Sequence, residues 1–252
     1  MCLILVAWQV HPDYPLVVAA NRDEFHARPT ATAARWLEAP HVIAGRDLEA
    51  GGTWLGVTET GRFAAVTNVR EPGKPKGPQS RGYLASDFLT GTMTPRDFSA
   101  SIRDDAFSGF NLLIADTEIL CYHSNRDTPA RVLPPGIYGV SNHLLDTPWP
   151  KLATAKARFS LALDRLPDEQ PFFDLLSDDE IVPDADLPAT GVSLEWERRL
   201  SAVFVRSQDY GTRASTLLLR QRDGSGLLIE QSFGASPEST GTVRWSFTAC
   251  SE

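Results

Sequence analysis

Cysteine is scarce in this chain: Cys2, Cys121 and Cys250 are all there are in 252 residues, odd in number and far apart. That spacing excludes a disulfide framework, and without a Cys-x-x-Cys pair or a Cys/His cluster no metal site is expected. Long apolar runs are missing as well. None approaches the ~20 residues of a membrane-spanning helix. Dense Lys/Arg runs are also missing, and 24 basic residues against 32 acidic ones leave a net charge of -8. A nucleic-acid surface needs a basic patch, and an anionic membrane repels an acidic surface, so neither partner is expected. The apolar opening Cys2-Leu3-Ile4-Leu5-Val6-Ala7-Trp8 has no basic leader. It is cut short by His11-Pro12-Asp13-Tyr14-Pro15 with no small-residue cleavage site, so it does not read as a signal peptide. A soluble cytoplasmic protein is expected.

What is present is strand-like sequence in closely spaced pairs. Residues 2–9 and 16–21 flank a Pro-Asp-Tyr-Pro turn; residues 54–58 and 62–68 flank Glu59-Thr60-Gly61; residues 110–115 pair with 119–123; and residues 215–220 pair with 227–232. A last strand is expected at 243–247. Helices are expected over 80–89, from Thr94-Pro95, and from Thr147-Pro148 onward, where Leu152, Ala155, Phe159 and Leu163 recur at helical spacing. Shorter helices are expected over 168–177 and 193–200. The Pro/Gly/Lys-rich stretch 71–78 and the acidic stretch 177–188 read as mobile surface loops. Hairpins with interspersed helices predict an α+β fold with mainly antiparallel sheet.

Cys2 is the most informative residue. If Met1 is removed, Cys2 carries both a thiol and a free α-amine, whose pKa of about 7.7–8.0 suits a base near neutral pH. Alone, a terminal cysteine is usually a small buried hydrophobe. Its place at the start of a strand changes this, because a strand fixes both groups rigidly. The next strand closes on Asn21-Arg22-Asp23-Glu24. This reads either as a polar turn or, brought beside Cys2 by a hairpin, as an activating set: Asp23 orienting the amine and Arg22 favouring thiolate. Asn68 and Asn142 end strand-like segments and are either turn formers or oxyanion donors. His143 competes as a general base or a capping residue. Gly45-Arg46-Asp47-Leu48-Glu49-Ala50-Gly51-Gly52-Thr53-Trp54 lacks the spacing of a phosphate-binding loop and reads as a tight loop walling the site. Arg213, in Tyr210-Gly211-Thr212-Arg213, is a carboxylate binder or a surface ion-pair partner.

Together these segments, with Phe110-Asn111-Leu112-Leu113 and the stretch Gly139–Lys151, resemble the NRDE family of transport and Golgi organization protein 2 homologs. That family in turn is similar to the N-terminal-nucleophile (Ntn) hydrolases of the choloylglycine hydrolase and penicillin V acylase group. The resemblance implies a single domain over 1–252, built as a four-layer αββα sandwich. It implies Cys2 as nucleophile, Arg22 and Asp23 as the supporting pair, and Asn68 and Asn142 at the oxyanion positions. The relatives separate their arginine and aspartate by two residues where this chain has them adjacent, so Asn21 competes for one role. Arg206 and Arg213 compete for a late supporting arginine. The implied activity is hydrolysis or acyl transfer at a non-peptide amide or related acyl bond of a small molecule, with no cofactor. The rival is a non-catalytic carrier of haem or another hydrophobic, lipid-like ligand, for which His26, His123 and His143 are conceivable haem ligands. Oligomeric state is not specified by the sequence.

Overall fold

A computed structural model of the chain describes residues 2–236 and 238–248. Met1 and Cys250 lie outside the described residues. The first hairpin forms as its turn signal predicts: β1 (Cys2–Trp8) pairs antiparallel with β2 (Leu16–Phe25), Cys2 standing opposite Arg22. β1 is buried along its whole length. This explains why its sequence is a continuous apolar run rather than an alternating one: both faces of the strand are covered.

Two further strands follow, β3 (Thr30–Arg35) and β4 (Val42–Asp47), and then the expected hairpin β5 (Leu55–Thr58) and β6 (Phe63–Asn68). Helices α1 (Gly82–Thr90) and α2 (Pro95–Ser101) come next, α2 capped by the Thr94 side chain accepting from the Asp97 N–H. The chain continues through β7 (Phe110–Ala115), β8 (Leu120–Ser124), β9 (Asp127–Leu133) and β10 (Gly136–Val140). Three helices, α3 (Pro150–Leu163), α4 (Gln170–Leu176) and α5 (Leu194–Ser201), precede the final strands β11 (Tyr210–Arg220), β12 (Gly226–Phe233) and β13 (Ser239–Phe247).

The strands make two antiparallel sheets. The first has the order β10-β1-β2-β11-β12-β13; the second runs β3 to β9 in sequence order. Alternation along each strand sorts the side chains into three apolar layers. Ile4, Val6, Val18, Phe63, Leu113, Leu218 and Leu228 fill the space between the sheets. Leu3, Leu5, Val17 and Leu217 face the opposite way, onto Leu152 and Phe159 of α3 and Phe172 of α4. Ala64, Leu112 and Ile114 face Leu84 and Phe88 of α1. Helix, sheet, sheet, helix is the expected αββα order.

The segments read as surface loops contain no long element. Residues 71–78 form no helix or strand, and 177–188 holds one 3-10 turn, Asp184–Asp186. Asn68 ends β6 as expected, whereas Asn142 lies two residues past the end of β10. Among the described residues, no helix is long and apolar enough to cross a membrane.

Candidate active site

At one end of the sandwich the inward-facing row of β2, Leu16-Val18-Ala20, stops being apolar and continues into Arg22. Opposite it stands Cys2. Both line a cleft of about 290 Å³ shared with Asp23, Thr53, Asn68 and Arg81. The cleft is strongly polar: five basic side chains (Arg22, Arg28, Arg46, Lys76, Arg81) and four acidic ones (Asp23, Glu24, Asp47, Glu49) line it. Arg28 bridges the rim, pairing with Asp47 at 2.8 Å and Glu49 at 3.1 Å.

Burial raises the Cys2 thiol pKa. The Asp23 charge adds to the rise, while Arg22 and a hydrogen bond from the Asp23 backbone oppose it. The thiol is thus held mainly protonated, and reaction there needs a base. Asp23 is buried on the opposite face of β2 from Arg22, with its carboxylate accepting from Thr212 Oγ1 at 2.8 Å and its carbonyl accepting from Tyr210 Oη at 3.0 Å. Burial raises the Asp23 pKa too, offset in part by Lys151, the Thr212 hydroxyl and Arg22. Lys151 is itself buried. Desolvation lowers its pKa to about 8, and its Nζ donates to the Leu200 carbonyl at 2.7 Å.

The two asparagines meet. Asn142 Nδ2 donates to the backbone carbonyl of Asn68 at 3.1 Å, leaving one further N–H on that amide. The Asn68 side chain lines the cleft, and its amide has no hydrogen-bond partner among the described residues.

Three supporting candidates sit elsewhere. Asn21 faces the helix layer, where Nδ2 donates to the Leu176 and Val203 carbonyls at 2.8 and 2.9 Å and Oδ1 accepts from Ser215. It welds β2 to the helices and does not line the cleft. His143 pairs through Nδ1 with Thr147 Oγ1 at 2.9 Å and lies against Trp149, off the cleft. Arg213 is the extra residue of a β-bulge in β11, between Thr212 opposite Asp23 and Ala214 opposite Arg22. The bulge turns its guanidinium onto the carbonyls of Phe25, His26, Arg28 and Phe233, so it ties down the turn after β2. Arg206 pairs with Asp179 in solvent. His26 contacts the Ser207 carbonyl and His123 contacts Asp104, both outside the cleft. Among the described residues, no group of three or more His, Cys, Asp or Glu is arranged to hold a metal ion.

Sequence reasoning missed Arg81, Lys151, Tyr210 and Thr212. The last two stand in the same short motif as Arg213, where attention fell on the charge rather than on the hydroxyls. Arg81 reaches the cleft because α1 starts there: Gly52 lies against Gly82, so close that a Cβ on residue 52 would sit 2.4 Å from the Gly82 carbonyl carbon. The glycine-rich segment, read as a tight loop, begins instead inside β4 with Gly45-Arg46-Asp47, and it lines the cleft through Arg46, Asp47, Glu49 and Thr53.

A family model described as Transport and Golgi organisation 2 matches residues 1–235. The Transport and Golgi organization protein 2 homolog of Bos taurus is 37% identical over 275 aligned residues, covering 98% of this chain and 97% of the relative. That of Homo sapiens is 36% identical over 256, covering 92% and 93%. Among solved structures, a Caenorhabditis elegans ortholog of N-acylethanolamine-hydrolyzing acid amidase superposes with a TM-score of 0.54 at 15% identity, covering 86% of this chain and 92% of that one. The C2A mutant of the conjugated bile acid hydrolase from Clostridium perfringens gives 0.52 at 8% identity, covering 97% and 92%. At such identities the likeness is one of fold, and the fold is that of the Ntn hydrolases. The chain belongs to the Transport and Golgi organisation 2 family.

Proposed function

We propose that this protein is a cysteine-nucleophile amidohydrolase or acyltransferase, active at a non-peptide amide or related acyl bond of a small polar molecule. The observation that carries this reading is the β1–β2 register, which sets Cys2 opposite Arg22 at the wall of a polar cleft shared with Asp23 and Asn68. The neighbours of like fold are named for hydrolysis, one as an N-acylethanolamine-hydrolyzing acid amidase ortholog and the other as a conjugated bile acid hydrolase. The reading treats residues 1–252 as one working unit.

Once Met1 is removed, the Cys2 α-amine takes the thiol proton as Sγ attacks the carbonyl carbon. The buried thiol stays protonated until this base acts, and Asp23 orients the resulting ammonium. The oxyanion is held by the Asn68 side-chain amide, while Asn142 fixes the Asn68 backbone through its carbonyl. Removing one such donor costs ~3 kcal/mol in known acyl-transfer sites. The ammonium then protonates the leaving nitrogen as the C–N bond breaks. Water or an acceptor amine attacks the thioester, the C–S bond breaks, and the proton returns to sulfur. Neither a metal nor an organic cofactor enters these steps. The carrier reading is less well supported for a lipid-like ligand, because an apolar chain would desolvate the charged lining without pairing it.

The test begins with intact mass, to select protein whose first residue is Cys2. That protein is treated with a halomethyl ketone acyl analogue, and the adduct is located by mass spectrometry. Cys121 serves as an internal control, since burial pushes its pKa to about 11 and leaves it almost wholly covered. The expected outcome is an adduct on Cys2 that disappears in Cys2→Ala. Labelling that persists in Cys2→Ala, or fails in the processed wild type, sinks the reading. A haem titration that shifts the Soret band stoichiometrically would favour the carrier instead.

A further inference from the structure

Behind Arg22 a second, smaller cavity of about 140 Å³ opens between the sheets. Arg22, Thr30 and Trp54 line both spaces, so the two adjoin at the arginine. The far wall is Glu230. It follows Leu228 on the inward face of β12, where the neighbouring row is the apolar inter-sheet core. A carboxyl here is anomalous: Glu230 is 4% exposed, yet Oε1 accepts one bond, from the Ala33 N–H at 2.8 Å, and Oε2 has none among the described residues. Its cross-strand neighbour Thr216 carries a buried hydroxyl with no hydrogen-bond partner among the described residues, although it does not line the cavity. Buried polar groups are paired in almost every native structure, so a carboxyl this deep in the cavity wall, with one oxygen bonded and the other not, points to an occupant that pairs it.

The space for that occupant is kept by Gly45. A Cβ there would stand 3.1 Å from the Ala31 carbonyl and 3.6 Å from Glu230 Oε2. The cavity reaches solvent past Thr32 and Thr240, both exposed. Arg22 presents donors to it, one of which is used among the described residues, toward Thr30 Oγ1 at 3.1 Å. Glu230 presents an acceptor. A hydrocarbon chain would leave both unpaired. A group with a carbonyl oxygen for Arg22 and an N–H for Glu230 pairs both, and an amide has that pattern.

We propose that the cavity between Arg22 and Glu230 is a substrate subsite that takes a second, uncleaved amide of a compact, peptide-like substrate whose scissile carbonyl sits at Cys2. This rests on the hydrolase or acyltransferase reading for its scissile end, but not for the amide pocket itself. Burial raises the Glu230 pKa, opposed by the hydrogen bond from the Ala33 N–H and by the Arg22 charge.

The probe is N-acetylglycinamide, titrated into the full chain and followed by ligand-observed NMR. Cys2→Ala protein is used in parallel, so that binding is read without chemistry. The expected result is saturable binding that survives Cys2→Ala, weakens at least tenfold in Glu230→Leu, and is largely kept in Glu230→Gln, which retains the acceptor. Gly45→Ala, which narrows the pocket beside Oε2, should weaken binding as well and serves if Glu230→Leu does not fold. Absence of binding to the wild type, or equal binding to Glu230→Leu and Gly45→Ala, overturns the subsite. If instead Cys2 proves unreactive while binding depends on Glu230, the subsite stands and the catalytic reading falls.

Discussion

Lys151 illustrates how a single residue carries a pH dependence that belongs to the site. Its folded pKa of about 8 lies below the ordinary 10.5, so between those values the unfolded chain binds the extra proton. Stability therefore rises with pH across that window, and below it the folded protein bears the cost of a buried ammonium. The full span is on the order of 3 kcal/mol. Lys151→Met should flatten this rise: urea midpoints measured at about pH 7 and about pH 10 should show wild type gaining on the variant as pH climbs. A constant gap between the two proteins would remove Lys151 as the buried titrating group. At this scale the sequence was partly legible. Cys2, Arg22 and Asp23 could be placed together because one hairpin does it, and hairpins are local. Lys151, Arg81 and Glu230 could not, because each reaches its place by packing between elements far apart in the chain. Asn21 looked interchangeable with its neighbours, yet alternation along β2 points it at the helix layer.

Among the elements, the start of α1 is the most sensitive to a small change. Gly52 and Gly82 are in backbone contact, and the Thr53 N–H donates to the Gly82 carbonyl at 3.2 Å. Gly52→Ala must push the helix end away, at a cost of about 1–3 kcal/mol for such overpacking. A fall in the urea midpoint with an unchanged m-value is the expected outcome, with slower Cys2 alkylation because Arg81 moves with the helix. An unchanged midpoint would show that the segment yields freely. The elements that escaped sequence reading have a common cause. β4 runs through Gly45-Arg46-Asp47 and β10 through Gly136 and Gly139, where glycines read as loop. β3 and β9 carry few large apolar side chains, and they form the two edges of their sheet. Strands with alternating or continuous apolar sequence, and helices with a Thr-Pro start or 3.6-residue spacing, were plain.

At the scale of the whole molecule, the buried pair Arg70–Glu197 joins the end of the second sheet to α5. The two meet at 2.8 Å with side chains 5% and 6% exposed, and Glu197 also accepts from the Thr190 N–H at 2.7 Å. The Arg70 N–H donates to the Asn142 carbonyl at 2.8 Å, so the pair also braces the asparagines. Glu197→Ala takes the carboxylate away from a buried guanidinium, and breaking a buried pair from one side typically costs about 3–5 kcal/mol. Thermal unfolding should shift down by several degrees or more, with Glu197→Gln intermediate because it keeps an acceptor; equal melting of all three proteins would show the pair to be energetically neutral.

The order of the strands has one more consequence, which concerns time rather than space. The second sheet is contiguous in the chain, from residue 30 to 133, each strand pairing with the next. The first sheet brackets it, and β1, an interior strand, lacks its partner β10 until residue 136 has been made. On the ribosome the β1–β2 hairpin thus emerges long before either of its outer partners, β10 and β11, and pairings distant in sequence form slowly. The same long wait leaves two strand edges open to wrong partners, which makes this hairpin the part of the molecule most dependent on protection while it is being made.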